Sequence, residues 1–318
     1  MSSDEFSIIE RYFTGLGRSD FGVELGIGDD AAVVDIPSGR QLVLSMDTLN
    51  LDVHFLSTVS PEDLAHKALA VNLSDLAAMA AEPAWFLLSL SLPKSDLDWL
   101  SRFSSALGEM ANQYRLLLIG GDTCRGPLSI TIQIAGLVPS RSYVRRSQAK
   151  PGDLILVSGE LGNAALGLAQ LQARVELPGD LRDTCIGAFN RPRPRVELLS
   201  FLREYASSAI DISDGLQGDL GHILKASGVG ATIDREALPV NRWVREEEAY
   251  HYALGGGDDY EICCTIAASH RQAVARWNAT QAECPLSIIG EITDSGYLLK
   301  YGQSSIDLTQ AEGYRHFA

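Results

Sequence analysis

The stretch GIGDDAAVVDI, residues 26–36, sets two adjacent carboxylates, Asp29 and Asp30, behind a glycine-spaced turn. The pattern recurs. Gly120-Gly121-Asp122-Thr123, Asp211-Ile212-Ser213-Asp214-Gly215 and Gly255-Gly256-Gly257-Asp258-Asp259 each join glycine or serine to aspartate beside an apolar, strand-like run. One such aspartate alone reads as a turn closed on its own backbone. Four together, two with a doubled Asp, carry more like charge than turns need. Converging carboxylates repel strongly, so either their pKa values rise or a divalent cation sits among them.

Two further aspartates favour the cation. Asp47 ends the apolar run LVLSMD, and Asp75 follows Asn72 by three residues, on the same face of an alanine- and leucine-rich helix. A carboxylate in so apolar a helix needs a partner, whether a cation, a salt bridge or a cap. All-oxygen donors without a histidine or cysteine cluster favour Mg²⁺ over zinc. Magnesium held by scattered carboxylates works beside substrate phosphates, with water completing its octahedron. The glycines suit that role, because they let backbone N–H groups come close to phosphate oxygens. The sequence has no G-x-x-x-x-G-K-[ST], no kinase-type catalytic loop and no complete G-x-G-x-x-G. A bound nucleotide would therefore have its charge met by metal ions and not by a P-loop lysine.

The whole chain bounds these readings. With 26 basic residues against 41 acidic ones, its formal charge of −15 argues against nucleic acid and anionic membrane as partners. The first residues, MSSDEFSIIERYF, lack the basic and apolar regions of a secretory signal. No apolar run approaches the ~18 residues that span a bilayer. Cys124, Cys185, Cys263, Cys264 and Cys284 are odd in number and contain no C-x-x-C, which suits reduced thiols in the cytoplasm and small core residues. At 318 residues the chain is long enough for two domains, and the polar run RSYVRRSQAKPGD offers a boundary between Arg141 and Gly152.

The elements that must carry the aspartates follow from periodicity. Phe6, Ile9, Tyr12 and Phe13 predict a short helix over 4–14, and AAVVDI with QLVLSM a hairpin around Pro37-Ser38-Gly39-Arg40. Ser60-Pro61-Glu62-Asp63 starts a buried helix over 61–80. Strand 84–92, a helix capped at Ser95, and strands 115–120 and 128–138 complete a mixed first half. In the second half, strands are expected at 153–158, 208–212, 229–234 and 260–267, with two more near the end in LSIIGEI and YLLKY. Helices are expected over 161–172, 194–205, through Lys225, 241–253 and 269–279. The segment Ser158-Gly159-Glu160-Leu161-Gly162 reads either as a phosphate turn or as a strand-to-helix connection. Pattern alone gives a second α/β domain with a different strand order.

Motif by motif, VELGIGDDAAV, SMDTL, HKALAVNLSDLAAM, LIGGDT, AIDISDGL and GGGDDYE resemble the thiamine-monophosphate kinase family. That family belongs to a larger group with aminoimidazole ribonucleotide synthetase and selenophosphate synthetase. The resemblance runs from about residue 5 to the closing GYRHF. It implies a mixed α/β, two-domain fold. Residues 1–140 would form an ATP- and Mg²⁺-binding, dimerising domain whose sheet joins a second subunit's in a barrel, and 150–318 a C-terminal α/β domain.

Residue by residue, the resemblance implies Mg²⁺ ligation by Asp30, Asp47, Asp75, Asp122, Asp211 and Asp214, with help from Ser45 and the backbone of Met46. Gly121, Asp122, Arg146 and Ser213 would contact ATP; His54 and Asp258 would face thiamine phosphate, with Tyr314 the candidate aromatic. Met46 stands where the family often has threonine, and Asp258 where it often has glutamate. The implied reaction converts ATP and thiamine monophosphate to ADP and thiamine diphosphate, the last step of that cofactor's synthesis. Transfer would be direct and in line, without a covalent nucleophile or general base, in a cytoplasmic homodimer. A selenophosphate synthetase would carry an N-terminal cysteine, and the first here is Cys124. A ring-closing synthetase, a metal-dependent phosphohydrolase and a divalent-ion-binding protein without chemistry are the rival readings.

Overall fold

Long alternating strands set the architecture of the first half, and strands buried on both faces set that of the second. A computed structural model of the chain describes residues 5–309. It divides into two units: the first runs to Leu76 and resumes over Ala81–Ser142, and the second takes Ala77–Ala80 and the described residues from Tyr143 onward.

In the first unit a short helix α1 (Glu5–Ile8) runs into a π-turn (Ile9–Phe13), not the regular helix expected there. Strands β1 (Val23–Leu25), β2 (Val33–Val34), β3 (Arg40–Asn50), β4 (Glu82–Leu92), β5 (Leu117–Arg125) and β6 (Ser129–Pro139) are joined by α2 (Pro61–Ala78) and α3 (Leu97–Gln113). The four long strands pair in the order β3-β6-β4-β5, with β4–β5 parallel and the other pairs antiparallel. Ile130, Ile132 and Ile134 bury one face of β6, as its alternation requires. On α2 the Ser60 hydroxyl accepts the Asp63 N–H (3.1 Å). On α3 the cap is Asp96, which accepts from Trp99 N (3.2 Å), and not the expected Ser95.

Three expectations are corrected here. The AAVVDI–QLVLSM hairpin does not form: Val33–Val34 pairs with β1, while β3 pairs with β6 over its full length, from Arg40↔Pro139 to Asn50↔Ser129. An eleven-residue partner outcompetes the few rungs that a local hairpin offers. Asp47 consequently lies inside β3 and not at its end. The GGDT segment is not a loop either, because β5 continues through it to Arg125. Gly121 pairs with Leu88 so closely that a Cβ would lie 1.8 Å from the Leu88 carbonyl oxygen, so packing alone requires glycine there.

The second unit holds β7 (Asp153–Ser158), β8 (Ala206–Ile212), β9 (Gly230–Asp234), β10 (Glu261–Ala267), β11 (Leu286–Thr293), β12 (Tyr297–Tyr301) and β13 (Ser304–Asp307). Their order is β13-β12-β9-β11-β7-β10-β8, with β12–β9 parallel and the other neighbours antiparallel. The helices are α4 (Asn163–Leu171), α5 (Gly179–Asn190), α6 (Leu199–Tyr205), α7 (Leu216–Ser227), α8 (Arg242–Glu246), α9 (His251–Gly255) and α10 (Arg271–Thr280). Every residue of β7 is buried. Ile155 and Val157 pack with Ile210, Leu216 and Leu220, and Leu154 and Leu156 with Phe201, Leu202 and Ile266. A sheet covered on both faces needs such a continuous apolar run.

Two elements have no counterpart in the periodicity. Helix α5 buries little beyond Cys185 and Phe189, and all four residues of β13 are exposed. The single helix expected over 241–253 breaks into α8 and α9, with Glu248 at φ +52° between them. Among the described residues no helix is long and apolar enough to cross a membrane. All five cysteines are free thiols, and four are buried.

Candidate functional site

The first unit gathers its candidate residues in two places. Along β3, Ser45 and Asp47 share one face, as residues two apart must, and Met46 lies on the opposite, exposed face. Helix α2 meets the first face. The Ser45 hydroxyl donates to the Asp75 carboxylate, and the Asp47 N–H donates to Asn72 Oδ1 (3.1 Å). Asn72 is itself held by its amide bond to the Ala68 carbonyl (2.9 Å). The polar face Asn72–Asp75 thus finds its partners on β3, and three expected metal ligands stand on one strand–helix contact.

The second place is a cavity of about 1060 Å³, where the GIGDD turn meets the middle of β5. Asp29, Asp30, Gly120, Gly121 and Asp122 line its polar part, and Phe6, Ile9, Phe13 and Leu118 its apolar part. Asp29, Asp30 and Asp122 are solvent-exposed. Here two of the four aspartate motifs meet in one wall. His54 closes the turn after β3: its Nδ1 accepts the Asn50 N–H (3.0 Å), which places the proton of a neutral ring on Nε2.

In the second unit, β8 carries the buried Asp211 one residue before its end at Ile212, and the chain then turns through Ser213 and Asp214. The loop before β10 lies against that turn, where Asp258 N–H donates to the Ser213 carbonyl and Tyr260 N–H to that of Ile212, both at 2.8 Å. The expected nucleotide residue Ser213 and the expected acceptor residue Asp258 are therefore neighbours through their backbones. Asp219 on α7, unforeseen from the sequence, accepts the Asp214 N–H (3.0 Å). Burial pushes its carboxyl up to about 7; the Asp214 N–H and the positive charge of Arg146 oppose the rise, and the Asp214 charge adds to it. Arg146 is exposed, and its carbonyl accepts from the Ser227 hydroxyl (3.1 Å). Asp219 could have been found, since it shares the apolar face of α7 with Leu216, Leu220 and Ile223.

Two more carboxylates, both inside the GGGDDYE motif, have no role implied by the sequence. Asp259 is buried and accepts the N–H groups of Gly162 (2.8 Å) and Ala164 (3.4 Å). That makes the Ser158–Gly162 segment a strand-to-helix connection, because the N–H groups a phosphate would use are already taken. Glu261 forms a buried, two-point ion pair with Arg195 and also accepts from the Ser158 hydroxyl. Gly159 makes room for this pair: at φ +56°, its Cβ would lie 2.1 Å from Glu261 Oε1. Burial raises both the Asp259 and Glu261 carboxyls, against the N–H bonds at the first and Arg195 at the second. Tyr314 lies outside the described residues.

Among the described residues no three His, Cys, Asp or Glu side chains form a ready-made metal cage. The donor set nevertheless fits Mg²⁺, which binds through one or two carboxylates with water and substrate phosphates and seldom through an all-protein cage.

Comparison with known proteins identifies the lineage of these motifs. Residues 28–138 match the AIR synthase related protein, N-terminal domain, and residues 150–299 the corresponding C-terminal domain. The thiamine-monophosphate kinase of Salmonella typhimurium (strain LT2) is 46% identical over 324 residues, covering 100% of this chain and 99% of that protein. The crystal structure of thiamine-monophosphate kinase from Stenotrophomonas maltophilia K279a is 43% identical, with a TM-score of 0.82 over 89% of this chain and 92% of that one. The structure of AaThiL complexed with AMPPCP and TMP is 31% identical, with a TM-score of 0.76 and 92% of each chain covered.

Proposed function

The chain belongs to the thiamine-monophosphate kinase family of AIR synthase related proteins, and we infer that it transfers the γ-phosphoryl group of ATP to thiamine monophosphate, forming thiamine diphosphate and ADP. The observation that carries this reading is the full-length likeness to kinases of that name, one of which binds an ATP analogue and TMP together. The meeting of the GIGDD and GGDT segments in one cavity supports it from the side of geometry.

The chemistry explains why the site is acidic. The attacking group is a phosphate oxygen with a second pKa of about 6, so it is already largely ionised at neutral pH and needs no general base. The obstacle is repulsion between two anions, and phosphoryl transfer is chiefly positioning and charge neutralisation. Magnesium ions, when bound, would supply that neutralisation. In the first unit Asp30, Asp47, Asp75 and Asp122 would hold them, with Ser45 and the Met46 carbonyl assisting; in the second, Asp211 and Asp214 would do so. Gly121 and Asp122 would meet ATP in the cavity of the first unit. Ser213 and Arg146 are also assigned to ATP, and the fork of Arg146 suits two phosphate oxygens. His54, Asp258 and Tyr314 are assigned to thiamine monophosphate. Transfer is read as direct and in line, with no phospho-enzyme.

A homodimer belongs to the same reading. The eleven-residue β3 lies at the sheet edge with Leu42, Leu44 and Met46 on one exposed face, Met46 at 62% exposure. A long apolar edge invites pairing with another strand. Light scattering at micromolar concentration should give twice the monomer mass, and Leu44→Lys should lower it. Free thiols suit the reducing cytoplasm.

The deciding experiment is a product assay with ATP, Mg²⁺ and thiamine monophosphate. Thiamine diphosphate should appear only with all three present. ADP formed without the acceptor would indicate a phosphohydrolase, no ADP at all a binding protein, and trapped protein-bound phosphate a two-step route.

A further inference from the structure

We propose that Asp259 is a positioning residue that holds its neighbour Asp258 against the Ser213 turn, and so sets the enzyme's grip on the phosphate acceptor. The proposal rests on the reading of Asp258 as the acceptor-facing residue.

The geometry is a three-point clamp over residues 258–260. The outer points are backbone bonds, from Asp258 N–H to the Ser213 carbonyl and from Tyr260 N–H to the Ile212 carbonyl, each 2.8 Å long. The middle point is the buried Asp259 carboxylate, which receives Gly162 N–H at 2.8 Å and Ala164 N–H at 3.4 Å. Both flanking residues are left-handed without being glycine, Asp258 at φ +69° and Tyr260 at φ +50°. Side chains with a Cβ rarely adopt that conformation, and for a bulky residue such as tyrosine it persists only where the surroundings hold it.

A plain helix cap would not need this arrangement. Gly162, at φ +83°, already shapes the start of α4, and a cap does not require left-handed residues on both sides of the acid. What the carboxylate adds is an anchor at the centre of a strained tripeptide. Without it, Asp258 and Tyr260 can relax to ordinary φ values, and Asp258 leaves the Ser213 turn. Ser213 itself follows β8, which is fixed by its ladder to β10 from Ile212↔Glu261 to Ala206↔Ile266. Loss of the anchor should therefore weaken acceptor binding far more than nucleotide binding.

The test is steady-state kinetics on full-length Asp259→Asn, and on Asp259→Ser, which is smaller and keeps one acceptor. Glu261→Gln, which breaks a buried pair two residues along the chain, and Asp258→Ala are run beside them. In Asp259→Asn the KM for thiamine monophosphate should rise at least about tenfold, while the KM for ATP stays within about twofold. Glu261→Gln should lower the melting temperature and leave both KM values near those of the parent. An Asp259 variant that loses thermal stability with an unchanged acceptor KM overturns the proposal, as does failure of both variants to fold. A parent enzyme that makes no thiamine diphosphate overturns the functional reading instead. Unchanged acceptor KM in Asp258→Ala overturns that residue's assignment.

Discussion

The two units set carboxylates in contrasting surroundings. In the first, Asp29, Asp30 and Asp122 stand exposed on the wall of a cavity. In the second, Asp219, Asp259 and Glu261 are buried, and each accepts hydrogen bonds from backbone or side-chain donors. Yet GIGDD and GGGDD are nearly the same string. The difference lies in what surrounds the carboxylate. An exposed one keeps its lone pairs for water or a cation, whereas a buried one must spend them on the protein's own donors or be strongly destabilising. The first kind stays open to solvent or a ligand, and the second is tied into the protein's own hydrogen-bonded frame.

Mutations can break this contrast. The largest expected effect is Asp47→Asn or Asp122→Asn: turnover should fall about 10²–10³-fold, as when a preorganised charge-stabilising group is removed. Stability should stay within about 0.5 kcal/mol for exposed Asp122. Near-normal activity in either variant would remove the central assignment. Arg195→Met should show the reverse pattern, costing about 3–5 kcal/mol in urea unfolding because Glu261 is left buried and unpaired. Activity per folded molecule should survive. Replacing both partners with Met and Leu should restore much of the stability, and a double variant no better than the single one would mean that the pair does more than neutralise itself.

Ser45→Ala sharpens the contrast further, since Ser45 holds Asp75 without being an acid. Turnover should drop about 10–100-fold, the usual cost of losing a group that orients a ligand. The smallest effect concerns the thiols. Burial pushes Cys185, Cys264 and Cys284 up to about 12 and Cys263 well above its ordinary value, while Cys124 is exposed. A thiol reagent at pH 8 should modify one cysteine quickly, and the other four only on unfolding.

Much of the second unit could be read from its sequence. The runs DLILVS and YEICCTIA give β7 and β10 to within a residue, because strands covered on both faces have to be largely apolar. YLLKY gives β12, which buries Tyr297 and Leu299 on one face. Helices α5 and α8–α9 were missed or merged, because short helices with few buried residues leave little periodicity. In the first unit the elements were legible and their pairing was not. The Pro37–Arg40 turn is real, with Arg40 N–H donating to the Pro37 carbonyl (3.1 Å), but β3 takes β6 as its partner.

What the sequence determined by itself is the chemistry on offer: acidic oxygen donors in glycine-rich settings, no P-loop, and an order of motifs that belongs to one family. Those are properties of residue type and spacing, and they survive without coordinates. Only the tertiary structure decided which aspartates face a cavity and which are sealed inside. It also placed GGDT within a strand, and made Asp259 an anchor beside Asp258. Burial and strand register depend on partners a hundred residues away, such as β6 for β3 and Gly162 for Asp259, and no local pattern encodes them.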